Sequence, residues 1–174
     1  MANDLWETQP YVYNWIQSQL KFKMVMVLDL AASRANSKCP FFIDEQTNAL
    51  NIDWKKCLIT SITTMGEIYN DHGTWCNPPY SKPNLPHFTK KACLEAEKGL
   101  NQCFLLPLDI TAWSRDYVWG QSEVWIPDER IPFIDPATGQ PQTQPPKGSM
   151  IVIYGPTAIK GYIKTVHIPT PEKS

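Results

Sequence analysis

The chain has 174 residues, which on a scale of roughly 100–200 residues per domain leaves room for one domain and little more. Apolar residues at 43% and aromatics at 11% supply enough core to exclude a wholly disordered chain. With 16 Lys+Arg against 17 Asp+Glu the net charge is −1, so bulk charge draws the protein to no polyanion, and a nucleic-acid partner would need a local basic face.

Tyr11, Trp15, Ile16 and Leu20 recur at helical spacing just after Pro10 and predict a helix over 11–20. Residues 24–30 are an apolar run broken only by Asp29, the pattern of a parallel strand buried on both faces with an acid at its C-terminal mouth. Ala31-Ala32-Ser33 opens a turn, with Ser33 or Asn36 placed to cap the next segment. Cys39–Ile43 reads as a second strand, followed by Asp44. Over Leu58–Met65 the β-branched Ile and Thr leave helix and strand equally supported. Thr74-Trp75-Cys76 reads as a short buried strand, 87–99 as a helix ended by Gly99, and Cys103–Leu108 as another buried strand with Pro107 at its mouth. Beyond Trp113 the pattern becomes strands at Ser122–Ile126, Ile131–Ile134 and Met150–Tyr154, with a proline-rich stretch at 135–148 read as a long mobile loop. Residues 1–168 are expected to form one domain and 169–174 a disordered tail.

Alternating buried strands and helices predict a three-layer α/β sheet, mostly parallel, with an antiparallel end. Ligands of such sheets bind at the carboxyl ends of the strands, where Asp29, Asp44, Asn77 and Pro107 converge. The five cysteines, Cys39, Cys57, Cys76, Cys93 and Cys103, lack metal-site or redox-pair spacing and read as reduced thiols. No apolar run approaches the ~18 residues of a membrane span, so a soluble cytoplasmic protein is expected.

Asn77-Pro78-Pro79-Tyr80 is the most specific signal in the chain. Two consecutive prolines fix two φ angles and remove two N–H donors, which gives the backbone carbonyls there a rigid direction. An Asn oxygen and a Pro carbonyl can accept both hydrogens of a planar exocyclic amine. That contact localises the nitrogen lone pair so that it can attack an electrophilic methyl group. Tyr80 offers a flat surface for an extruded base.

The chain resembles the bacteriophage-type DNA N6-adenine methyltransferase (Dam) family. The likeness runs through Trp6-Glu7-Thr8-Gln9-Pro10, Leu28-Asp29-Leu30-Ala31-Ala32-Ser33, Asn48-Ala49-Leu50, Trp75-Cys76-Asn77-Pro78-Pro79-Tyr80-Ser81, Leu106-Pro107 and Arg130-Ile131-Pro132-Phe133. The resemblance implies a Rossmann-like class I methyltransferase sheet and S-adenosylmethionine as methyl donor. It implies a catalytic set of Asn77, Pro78, Pro79 and Tyr80. It further implies that Asp29 and Ala31 hold the methionine end of the cofactor, Asp44 the ribose, Asn48 and Leu50 the adenine ring, and that Thr8 and Pro10 close over the methionine. No metal and no covalent nucleophile is required.

Double-stranded DNA is the expected partner, and a monomer the expected state. With no room for a separate recognition domain, a short or lax target site is expected, contacted between about Thr111 and Gly148, with Trp113 near the mouth. Arg34, Lys82, Arg115 and Arg130 are the candidate DNA contacts. The same chemistry suits cytosine N4, an RNA base or a glutamine amide, and a non-catalytic nucleic-acid-binding relative is the third alternative. Protection of viral DNA from host restriction is the role that the family suggests.

Overall fold

The computed structural model describes residues 5–68, 70–142 and 145–171. Among the described residues ten strands and four α-helices occur in chain order: β1 (Glu7–Thr8), α1 (Pro10–Leu20), β2 (Val25–Asp29), β3 (Phe41–Phe42), α2 (Trp54–Thr64), β4 (His72–Cys76), α3 (Asn84–Glu97), β5 (Asn101–Pro107), α4 (Ala112–Tyr117), β6 (Glu123–Pro127), β7 (Phe133–Asp135), β8 (Gln140–Gln142), β9 (Ser149–Tyr154) and β10 (Ile163–Val166). A 3-10 turn covers Ala49–Asn51.

Seven strands form one sheet in the order β10-β6-β9-β5-β4-β2-β3, and β1-β7-β8 form a small second sheet. β3, β2, β4 and β5 pair in parallel, while β9 runs antiparallel to both β5 and β6. The expected parallel sheet with an antiparallel end is therefore present, and it is consistent with a Rossmann-like methyltransferase fold. All seven residues of β5 and all six of β9 are buried, as central strands covered on both faces require.

Side chains on these strands divide by the two-residue period. Phe104, Leu106, Met150, Val152 and Tyr154 enter a core shared with Trp54, Leu58 and Ile62 of α2 and Phe88 and Ala92 of α3. Cys103, Leu105, Ile151 and Ile153 enter a second core with Val12, Ile16 and Leu20 of α1 and with Ile131 and Phe133. The two cores make the three layers, and each fully buried Leu, Ile or Phe contributes about 1.5–3 kcal/mol. The layer over the second core is α1 together with the small sheet.

Helix ends obey local chemistry. Asp53 caps α2 by accepting the Lys56 N–H at 2.9 Å, which settles the Leu58–Met65 ambiguity in favour of helix. Pro10 occupies the first position of α1, where its missing N–H costs nothing. Gly99, at φ +84°, comes after the C-cap of α3 as expected.

Ser33 and Asn36 cap the turn after β2 as expected, Ser33 Oγ accepting the Ala35 N–H at 3.3 Å and Asn36 Oδ1 the Ser33 N–H at 2.7 Å. Two expectations change. Cys39–Ile43 contracts to the two residues of β3. Part of 135–148 is strand, since Gln140–Gln142 pairs with β7. Thr143 and Gln144 of that stretch, and residues 172–174 of the expected tail, lie outside the described residues. Among the described residues no helix is long and apolar enough to cross a membrane.

Candidate active site

The carboxyl ends of the parallel strands share one edge of the sheet. Asp29 ends β2, Asp44 lies just beyond β3, Asn77 comes directly after β4 and Pro107 ends β5, the convergence expected from the strand pattern.

Asn77 is held by its amide nitrogen, since Nδ2 donates to the Trp6 carbonyl at 3.1 Å. That bond decides which end of the amide is committed. The other end, Oδ1, is buried and has no partner among the described residues. A buried, unpaired acceptor costs about 1–3 kcal/mol, which a ligand donor would recover. Pro78 is buried beside it and Pro79 half-buried, so the turn is stiff and shielded.

Tyr80 donates its hydroxyl to the Leu105 carbonyl at 3.1 Å and meets Phe133 edge-on at 6.4 Å between centroids. Burial pushes its phenol above the ordinary value, so it stays neutral. Phe133 in turn stacks on Trp6 at 6.0 Å. Tyr80, Phe133, Trp6, Trp113 and Pro107 line a cleft of about 610 Å³, large enough for a purine. Asp109 and Lys147 stand in its wall as an ion pair at 2.6 Å. Burial would raise the Asp109 carboxyl, but Lys147 and the Thr111 N–H outweigh it and hold the group below its usual range.

Trp6 joins Asn77 to the cleft, its carbonyl on the amide and its ring in the wall. It is set there by the small sheet, in which Thr8 of β1 pairs with Phe133 of β7, and by Gln9, whose Nε2 donates to the Pro132 carbonyl at 3.2 Å. Sequence reasoning assigned no role to Trp6 or Phe133, although both stand within stretches that carry the family resemblance. Asp109 and Lys147 carried no signal at all.

The candidate cofactor residues form a second group. Asp29 is 3% exposed and accepts the N–H groups of Ala31 at 3.3 Å and Lys38 at 3.0 Å. Burial pushes its carboxyl up to about 6, with the two N–H donors pulling the other way. Asp44 accepts the Thr47 N–H at 2.8 Å, and its bonds to Thr47 hold its carboxyl low. Asn48 sits at φ +53° and spends its side-chain oxygen on the Leu50 N–H at 3.1 Å, while Leu50 packs on the first core. Thr8 is 2% exposed with its Oγ1 unpartnered among the described residues, and Pro10 is exposed at the start of α1. None of these residues lines the aromatic cleft, and of the catalytic candidates Tyr80 does so while Asn77, Pro78 and Pro79 do not.

Of the four basic candidates, Lys82 alone lines the cleft. Arg115 pairs with Asp116 at 3.0 Å on α4, Arg130 donates to the Pro145 carbonyl at 2.8 Å, and Arg34 is exposed on the turn after β2.

A family model described as DNA N-6-adenine-methyltransferase (Dam) matches residues 1–170. The chain belongs to that family. It is 30% identical over 171 residues to the DNA N-6-adenine-methyltransferase of Haemophilus phage HP1, covering 97% of this chain and 88% of the relative. It is 32% identical over 169 residues to the protein of the same name from Escherichia phage T1, covering 87% of this chain and 63% of the relative. No solved structure matches significantly. Asp29, Asp44 and Asn77 all stand at the carboxyl edge of the sheet, the first two among the cofactor candidates and the third beside Trp6 of the cleft.

Proposed function

We propose that the protein methylates the N6 amino group of adenine in DNA, taking the methyl group from S-adenosylmethionine. The observation that carries this reading is the Asn77 amide, whose nitrogen is committed to Trp6, a residue of the aromatic cleft, and whose oxygen is left buried and unpaired among the described residues.

Residues present fit the cofactor. The buried carboxylate of Asp29 suits an ammonium, the Asp44 carboxylate suits ribose hydroxyls, and the Thr8 hydroxyl is buried with no partner among the described residues. When bound there, S-adenosylmethionine supplies an electrophilic methyl group on a sulfonium. The chain's own work is on the acceptor. Tyr80, Phe133 and Trp6 provide flat apolar surfaces for an adenine taken out of the stack. Asn77 Oδ1 and the Pro78 carbonyl accept its two N6 hydrogens, which withdraws the nitrogen lone pair from the ring and aims it outward. Neither oxygen is basic enough to keep a proton, so the one released on methylation passes to water. Apolar walls keep that water from competing for the hydrogens before transfer. Lys82, with no ion pair among the described residues, is the rim cation available to a DNA phosphate.

Mass spectrometry of nucleosides from cells expressing the protein tests the reading. N6-methyladenine above background is expected with the wild type and absent with Asn77→Ala; N4-methylcytosine or no methylated nucleoside at all would overturn it.

A further inference from the structure

Ile110 is 88% exposed, and both its chain neighbours, Asp109 and Thr111, line the cleft. Isolated exposed apolar side chains are ordinary, and Phe22 and Ile68 are two more. What separates Ile110 from them is its place between two residues that line the cleft and the bracing of the loop that carries it. The Thr111 N–H donates to Asp109 Oδ1 at 2.7 Å, Trp119 Nε1 donates to the Asp109 carbonyl at 3.1 Å, and the Leu108 N–H donates to the Gly148 carbonyl at 2.8 Å. Lys147 closes the frame from the other side through its ion pair with Asp109. A loop closed by its own turn and tied to the rest of the protein at three points holds its apolar tip off the core, so the side chain stands in solvent next to the cleft.

On the reading of adenine in DNA as substrate, the approaching surface is a base stack. Lys82 on the rim offers a cation to its phosphates. Taking one base out of that stack breaks its stacking contacts and leaves a gap, which opposes the extrusion. An apolar side chain of isoleucine's size recovers part of that cost by filling the gap, and it loses contact with water in doing so. We propose that Ile110 is the wedge that enters the duplex where the target adenine leaves it. It is a positioning residue, because it acts on the neighbouring bases and touches neither the amine nor the cofactor. The inference rests on the function proposed above.

The test compares wild type, Ile110→Ser and Ile110→Leu on two duplexes that carry the same target site, first identified by methylation-aware sequencing of DNA from an expressing host. In one duplex the target adenine is paired with thymine; in the other it stands opposite an abasic position and is already loosened. Ile110→Ser is expected to be roughly tenfold slower on the paired duplex and within about twofold of wild type on the loosened one, with Ile110→Leu restoring the paired rate. Thermal midpoints should be unchanged, since the side chain is almost wholly in solvent. Equal rates for Ile110→Ser and wild type on the paired duplex, equal losses on both duplexes, or no rescue by leucine would overturn the wedge. A wild type that methylates neither duplex overturns the DNA-adenine reading itself, and the wedge with it.

Discussion

Asn77→Asp keeps the shape of the side chain and inverts one end of it, from an N–H donor to an oxygen. In the native protein that end donates to the Trp6 carbonyl at 3.1 Å. The ionised form of the introduced carboxyl would face that carbonyl with a second acceptor, losing a hydrogen bond of about 1 kcal/mol and leaving the Trp6 oxygen unpaired for about 1–3 kcal/mol more. Only the protonated form can donate to Trp6, so the new carboxyl is held neutral. Asp29 gives the scale: burial pushes it up to about 6 even with two N–H donors on its oxygens. The introduced carboxyl would have no such donors in view and should be raised in the same direction. A carboxyl raised in the folded state keeps full stability below its unfolded value near 3.9 and loses it as pH climbs toward the folded value. Against the wild type, Asn77→Asp should therefore lose about 1–3 kcal/mol of stability between pH 4 and pH 7, the cost of the unpaired Trp6 carbonyl. Methylation by the variant should fall over the same window, because the displaced carboxylate no longer presents its second oxygen to the amine. Chemical denaturation at the two pH values and a pH–rate profile measure both effects. A variant whose stability difference from wild type does not change between pH 4 and pH 7 would refute the claim that the Trp6 carbonyl selects a donor at this position.

The same geometry sets other outcomes. Tyr80→Ala should slow methylation by an amount worth about 1–3 kcal/mol of lost stacking while cofactor binding, followed by thermal shift, holds. Tyr80→Phe keeps the ring and loses only the bond to the Leu105 carbonyl, so about 1 kcal/mol of stability should go with little change in rate. Because the Asp29 carboxyl lies at about 6, above its unfolded value, the wild type should lose about 2 kcal/mol more stability between pH 4 and pH 7 than Asp29→Asn does, read by denaturation at both pH values. Gly155 sits at φ +103° with the Leu100 carbonyl oxygen 2.2 Å from where a Cβ would stand. Gly155→Ala should therefore cost more than about 2 kcal/mol, and a thermal midpoint matching that of the wild type would contradict that reading.

Much of the sheet was legible because its signals are local. Residues 24–30 and 103–108 are dominated by apolar side chains, as a doubly covered strand demands, and Asp29 and Pro107 mark their ends without any knowledge of neighbours. Asn77-Pro78-Pro79-Tyr80 was legible for the same reason, since four adjacent residues contain the rigid turn, the acceptors and the flat ring. The short elements were not legible. β1 has two residues and β8 has three, including a proline, and such segments carry too little pattern to be recognised. Arg130 reads as a DNA contact from its place between Thr111 and Gly148, and that its guanidinium donates to the Pro145 carbonyl is something only the path of the chain could show.

The sequence by itself determined the family, the parallel sheet with its antiparallel end, and the stiff turn after β4. Each of these is written in contiguous residues, where propensity, burial period and backbone stiffness act over a few positions. Tertiary structure alone decided how the Asn77 amide is turned and what walls the neighbouring cleft. Asn77 meets Trp6 across 71 positions, and Thr8 meets Phe133 through a strand pairing between the start of the chain and its last third. Such contacts depend on register and on which layer covers which face, and a two-residue strand has no pattern of its own to specify either.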